Sequence, residues 1–278
     1  MKNISTLIPD IQQLFNPNTP HVVNEENLSV FLSNLGETIK KRLSTREEGE
    51  FSLRFSKLGK KDRQLWYEAN GYAKEEMTSQ TYIKFLFGDI YEELLLFLAK
   101  ESGHTVTDEQ KEVEVEGVKG HIDAKIDGIV TDVKSASPFG FKKFKDHSLL
   151  ENDPFGYIHQ LGGYSTVESP GEPAAFFAID KVSAEMTLMM LSPSVYSEYD
   201  PSERIRHLKE VLGGPIPQRC HTDVPDGKSG NMKLNTECSY CAFKKECWPS
   251  VRTFLYSSGP KYLSVVNETP RVYEVKND

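Results

Sequence analysis

The dipeptide Asp127-Gly128 stands between two runs that alternate apolar and polar residues, GHIDAKID (120–127) and GIVTDVKSA (128–136). Asp-Gly at such a junction is a strong two-residue hairpin signal, because both residues accept the left-handed backbone that a primed turn needs. Taken as that turn, it pairs Ile126 with Ile129, Ala124 with Thr131 and Ile122 with Val133. Those six side chains share one face, which suits a core. On the other face Asp123 stands opposite Asp132, and His121 opposite Lys134.

Two carboxylates facing each other across an antiparallel pair repel. A divalent cation with oxygen ligands compensates them directly, and Mg²⁺ typically takes one or two carboxylates, waters and a substrate phosphate. Lys134, two residues beyond Asp132, falls on the same face, where it can position an attacking water or balance charge developing at phosphorus. A metal in such a site lowers the pKa of its water and polarises phosphoryl oxygens. The plainer reading is a solvated hairpin face whose charges only keep it soluble.

The flanking segments bear on that choice. Residues 80–100 (QTYIKFLFGDIYEELLLFLAK) read as a long, largely buried helix stopping at Gly103. Its Gly88, Glu92, Leu95 and Ala99 share one small, apolar face, so Glu92 points inward, whereas Glu93 lies with Asp89 and Lys100 on a solvent stripe. An inward carboxylate needs a partner. Residues 155–168 read as a helix with Gln160 and Tyr164 at i and i+4, beside Gly156 and Gly163. Glycine inside a helix costs about 1 kcal/mol relative to alanine, so either tight packing or a substrate contact is expected there.

Helical periodicity over residues 25–43 precedes a charged stretch (KKRLSTREEGE, 40–50), and AAFFAIDK and AEMTLMML read as further strands. PFGFKKFKDHS reads as a loop and short helix, and PSERIRHLKEVL as a helix capped by Asp200 or Ser202. Helices around a small central mixed sheet make the chain α/β or α+β. With 278 residues it has room for one substantial domain plus a module. No run approaches the roughly 18 apolar residues of a membrane helix, and the N-terminus lacks the pattern of a signal peptide, so a cytoplasmic location is expected, that of a host if the source is viral. The formal charge of 33 − 41 = −8 excludes nucleic-acid binding through bulk positive charge. All four cysteines lie between residues 220 and 247, which in a reducing compartment favours a metal site over disulfides.

Gly88-x3-Glu92, Gly120-His121-Ile122-Asp123, Asp132-Val133-Lys134-Ser135 and Gln160-x3-Tyr164, in that order, resemble the motifs of the RecB-like branch of the PD-(D/E)XK nucleases. The matched stretch spans about residues 85–165. The resemblance implies a restriction-endonuclease-like core and metal-dependent phosphodiester cleavage. Glu92, Asp123 and Asp132 would hold Mg²⁺ or Mn²⁺, Lys134 would assist, and Gln160 and Tyr164 would lie near the metal or the DNA. It also implies an exonuclease acting in recombination, repair or replication, on DNA with free ends or single strands.

Upstream, Ser56 to Tyr67 is similar to a segment of members with an iron–sulfur cluster, such as the CRISPR-adaptation exonucleases; those members place a cysteine where this chain has Lys61. Cys238-x2-Cys241-x5-Cys247 resembles their C-terminal triad, and Cys220, 18 residues earlier, stands as the displaced fourth ligand. A set of four cysteines at these spacings takes either a 4Fe–4S cluster or structural zinc. The expected segments are 1–78, a helical region; 79–215, the nuclease core; and 216–278, the cysteine module and tail. For DNA contacts the candidates are Arg63, beside Trp66, and Lys142, Lys143 and Lys145, interleaved with Phe139, Phe141 and Phe144. Two rival readings remain: a non-catalytic, metal-stapled DNA-binding adaptor, and a metal-dependent enzyme acting on a non-nucleic-acid phosphate ester.

Overall fold

The computed structural model describes residues 2–44 and 51–275, and residues 45–50 of the charged stretch lie outside them. The chain divides into two compact units, residues 1–59 with 78–206, and residues 60–77 with 207–278. Where the sequence suggests three consecutive segments, contacts group residues 60–77 with the C-terminal part.

In the first unit, α1 (Leu7–Leu14) is followed by α2 (Glu25–Leu43), whose first free amides are capped by the Asn24 side chain. Glu25 and Glu26 at its start and Lys40, Lys41 and Arg42 at its end suit the helix dipole. α3 (Asp62–Ala69) belongs to the second unit. α4 (Ser79–Glu101) is capped by Thr78 and gives way to Gly103 in a left-handed conformation. Strands β1 (Val106–Thr107), β2 (Glu112–Val115), β3 (Val118–His121), β4 (Ala124–Ile126) and β5 (Ile129–Ala136) come next. After them run α5 (Pro138–Lys145), α6 (Tyr157–Glu168), β6 (Ala174–Asp180), β7 (Met186–Leu191), α7 (Pro193–Tyr196) and α8 (Pro201–Gly213), the last of which passes into the second unit at His207. Asp200, rather than Ser202, supplies the side-chain cap of α8 by accepting from the Ser202 amide at 2.8 Å.

The central sheet runs β1-β4-β5-β6-β7; β5 and β6 are parallel and the other pairs antiparallel. A parallel pair requires a crossover, which α5 and α6 provide. This is the mixed sheet flanked by helices that the sequence predicts, and it agrees with a restriction-endonuclease-like core. One sheet face packs Ala124, Ile126, Val133, Ala175, Phe177 and Ile179 against Leu7 and Ile11 of α1 and Leu95, Leu96 and Ala99 of α4. On β6 the neighbouring Phe176 meets Phe144 of α5 edge-on at 5.5 Å, so both faces are covered.

Three sequence expectations need correction here. α4 is buried only in its second half; Tyr82, Ile83, Phe85 and Phe87 near its start are exposed, because its contacts with the core begin at Tyr91. The run GHIDAKID is two strands, not one: β3 pairs with β2 in a separate two-stranded sheet, placing His121 opposite Glu112 instead of Lys134. Glu93 is not on a solvent stripe, because Asn34 and Thr38 of α2 hydrogen-bond its carboxylate while burial pushes that carboxyl up.

The second unit contains α3, β8 (Val224–Pro225), β9 (Met232–Lys233), α9 (Thr236–Ser239), α10 (Lys244–Cys247), β10 (Arg252–Tyr256), β11 (Gly259–Val265) and β12 (Tyr273–Val275). Its strands form an antiparallel sheet in the order β12-β10-β11-β9-β8, where the sequence suggests only a tail.

Candidate active site

The Asp127-Gly128 turn has both residues at positive φ, 50° and 85°, and pairs Ile126 with Ile129 and Ala124 with Thr131. That is the register expected from the dipeptide. Asp123 precedes the last ladder pair, and its Oδ2 accepts the Val133 amide at 2.8 Å. Asp132 is not on an open face: crossover packing leaves it only 3% exposed. Its carboxylate is ion-paired with the Lys134 ammonium, which also stands 5.1 Å above the ring centroid of Tyr157, a cation–π contact. The oxygen that meets Lys134, Asp132 Oδ2, is buried.

Glu92 faces the same group. Burial, followed by the charge of Asp123, pushes its carboxyl up to about 9, and Asp132 adds to the shift while Lys134 opposes it. Gln110 holds the carboxylate by donating Nε2–H to Oε1 at 2.7 Å. The Asp123 carboxyl rises to about 7, from burial first and then from Asp132. Asp132 is also raised by burial, with Lys134 opposing. Burial pulls the Lys134 ammonium toward neutrality, but Asp132 and Asp123 more than reverse this and keep it charged. The fold therefore holds three mutually repelling carboxylates and one cation together, and none of the three is relaxed.

These hard oxygen donors fit a divalent ion such as Mg²⁺ or Mn²⁺. Among the described residues, no group of three or more His, Cys, Asp or Glu side chains already stands in a metal-holding arrangement. The carboxylates are near one another but not closed onto a common point.

Gln160 and Tyr164 lie on α6, and their immediate contacts are structural. The Tyr164 phenol accepts hydrogen bonds from the Gln160 side chain and the His121 amide; burial, then Asp132 and Asp123, push it up to about 12. Its ring stacks on Phe55 at 5.1 Å. A Cβ at Gly120 would lie 2.5 Å from Phe55 Cβ and 2.8 Å from the Tyr164 oxygen, so that position must be glycine for β3 to approach. Tyr164 thus pins the strand that leads into Asp123. Gly156 is not inside the helix but at its N-cap, with φ 73°, and its backbone meets that of Gly59 so closely that a Cβ on either would clash. Close packing accounts for Gly59, Gly120 and Gly156.

The DNA-contact candidates all have partners within their own unit. Arg63 donates to the Pro217 carbonyl at 2.5 Å and to the Tyr67 hydroxyl at 3.0 Å, and Trp66 Nε1 donates to the Gly214 carbonyl at 2.9 Å. Lys142 pairs with Asp146, Lys143 donates to the Asn152 carbonyl at 2.9 Å, and Lys145 meets Glu185 at 2.5 Å. Phe141 and Phe144 are buried, while Phe139 is 77% exposed beneath the Lys143 ammonium.

In the second unit, burial and then the charges of Cys247, Cys241 and Cys220 push the Cys238 thiol up to about 11. The sulfur of Cys220 is raised by burial while the amides of Arg63 and Gln64, at the start of α3, hydrogen-bond it, and Lys61 lies within its field. Cys220 therefore lies in the surroundings of Lys61. A thiol-rich donor set of this kind suits thiophilic metals.

Sequence reading missed Asp153, Tyr157 and Gln110. Asp153 stands five residues before Ile158 and caps α6 through its side chain, accepting the Ile158 amide at 2.8 Å; the Pro154 and Gly156 that follow it are the available signal of a helix start.

No family model matches the chain, and no curated protein matches it. Among solved structures it is similar to the crystal structure of SSO0001, with 17% identity and a TM-score of 0.41 over 77% of this chain and 94% of that one. It is also similar to an alkaline exonuclease (LHK-Exo) from Laribacter hongkongensis, with 13% identity and a TM-score of 0.34 over 67% of this chain and 93% of that one.

Proposed function

We propose that the protein is a divalent-metal-dependent nuclease that hydrolyses DNA phosphodiesters at the centre formed by Glu92, Asp123, Asp132 and Lys134. The observation that carries this reading is electrostatic. Glu92 and Asp123 are held against Asp132 at positions where burial and mutual repulsion raise their carboxyls to about 9 and about 7. A fold retains such a cost where the strain serves a function, and a divalent cation relieves it.

Glu92, Asp123 and Asp132 would hold Mg²⁺ or Mn²⁺. When bound, that ion supplies Lewis-acid polarisation of the phosphate and a more acidic water. The Val133 amide fixes one oxygen of Asp123, Gln110 fixes one of Glu92, and the sheet fixes Asp132. Lys134, charged and steadied by Asp132 and the Tyr157 ring, orients the attacking water or offsets negative charge as water adds to phosphorus and the sugar oxygen leaves. Gln160 and Tyr164 hold the β3 edge of the centre.

The exonuclease assignment, a preference for free ends or single strands, and a role in recombination, repair or replication rest on the sequence resemblance. In this reading Cys220, Cys238, Cys241 and Cys247 hold a 4Fe–4S cluster or a zinc ion that staples the second unit; the place of Cys220 beside Lys61 supports it as the fourth ligand. End-labelled single- and double-stranded DNA, incubated with Mg²⁺, Mn²⁺ or EDTA, tests the main claim. Metal-dependent release of label by the native protein, lost in Asp132→Ala and Lys134→Ala, is expected. Inactivity of the native protein with every metal, or full activity of purified Asp132→Ala, contradicts it.

A further inference from the structure

A large apolar ring stands in solvent one side chain away from Lys134. Phe155 is 57% exposed, and its ring lies 5.5 Å from that of Tyr157 at an interplanar angle of 34°. Tyr157 carries the Lys134 ammonium 5.1 Å above its centroid, and Phe144 of α5 stacks on the same ring at 6.1 Å. Phe144 is buried and Tyr157 half-buried. The aromatic row therefore runs outward from the core, passes under the lysine and ends at Phe155 in water.

A single exposed ring needs no explanation; this one is held outward by the backbone on both sides. Gly156, which follows it with φ 73°, abuts the backbone of Gly59. Before it, the Asp153 side chain accepts the Ile158 amide at 2.8 Å, and the Asn152 carbonyl accepts from the Lys143 ammonium at 2.9 Å. A free loop would fold an apolar ring onto the surface, whereas this turn is tied to α5, to α6 and to Gly59. The Lys143 ammonium also lies 5.8 Å from the centroid of Phe139, a second exposed ring. Exposed rings interleaved with ammonium groups match an unpaired nucleic-acid strand, whose bases stack on the rings while its phosphates meet the cations. A purely aliphatic partner would have no use for the two cations among the rings.

We propose that Phe155 is a base-stacking residue of the substrate site, taking an unpaired base of the nucleotide next to the phosphate that Lys134 meets. The inference rests on the nuclease reading given above and adds a substrate contact outside the four motifs that carry it. It also gives the rigid turn before α6 a purpose: a platform fixed beside Lys134 orders the strand there without first having to be ordered itself.

The test is steady-state cleavage, with Mg²⁺ or Mn²⁺, of a 5′-labelled oligothymidylate and of the same strand built with abasic sites throughout. For Phe155→Ala in the full chain, KM for the oligothymidylate should rise by about tenfold or more, with a smaller change in kcat and an unchanged melting temperature. On the abasic strand the variant and the native protein should have the same KM. Phe155→Leu, which keeps the apolar bulk but has no ring, should behave like Phe155→Ala, and Phe155→Trp should restore the native KM. A native KM in Phe155→Ala or Phe155→Leu, or an equal rise on both strands, overturns the role of Phe155 alone. A native protein that cleaves neither strand with either metal overturns the nuclease reading itself, so the two failures are distinct.

Discussion

Asp123 and Asp132 are brought together by strands whose register a two-residue turn sets, whereas Cys238, Cys241 and Cys247 sit on two four-residue helices and the loop between them. Sheet register acts over many backbone hydrogen bonds at once, so it can hold like charges together against their repulsion. The raised carboxyls record that opposition. Short helices impose no comparable constraint, and in the proposed reading a thiol set on them would be assembled by its metal. In the proposed function the first region would be prepared for an ion by the fold, and the second would depend on its ion for order.

The sharpest way to break this contrast is to remove a residue from each region. Asp132→Ala should lower cleavage by about a thousandfold while circular dichroism shows a folded chain; a loss below tenfold would mean that the carboxylates are not the reacting centre. If the cysteines hold a metal as proposed, Cys238→Ser combined with Cys241→Ser should abolish its binding and lower the second unit's unfolding midpoint by roughly 10 °C or more in calorimetry. An unchanged midpoint with equal metal content would remove the staple from the account.

Smaller effects probe how the acidic centre is held. Gly120→Ala forces a Cβ to within 2.5 Å of Phe55 and 2.8 Å of the Tyr164 oxygen, and should cost about 2 kcal/mol in denaturant unfolding. The raised carboxyls also give a signed dependence on pH. Folded Glu92 and Asp123 bind protons that the unfolded chain releases, so the stability they lend is present below the ordinary carboxylate range and is lost as pH rises. The Asp123 share goes as pH passes about 7 and the Glu92 share as it passes about 9. Denaturation in EDTA at pH 5, 7 and 9 should show this decline, and excess Mg²⁺ should flatten it; a decline unaffected by Mg²⁺ would separate the titration from metal binding. Least affected should be the exposed pairs of α5: Lys142→Ala or Lys145→Ala should shift stability by no more than about 0.5 kcal/mol, again read from denaturant curves.

Much of the acidic centre is legible in the sequence because its causes are local. Asp-Gly fixes a turn, the turn fixes which residues pair, and the helical period separates Glu92 from Glu93. What the sequence leaves unread depends on partners far along the chain. β3 leaves the hairpin for β2, so His121 never meets Lys134. Glu93 is covered by α2, which no pattern around residue 93 announces. Strands β8 to β12 form a sheet where the sequence suggests only a tail, because pairing among five strands is a long-range event. The basic and aromatic composition of α5 suggests nucleic-acid contact, whereas the structure engages its three lysines with Asp146, Asn152 and Glu185.

Anomalous diffraction from crystals soaked in Mn²⁺ tests the central claim most directly. The account predicts a manganese peak among the carboxylates of Glu92, Asp123 and Asp132, absent from crystals of Asp132→Ala. Native crystals with no peak there, or with manganese bound only elsewhere, would contradict it.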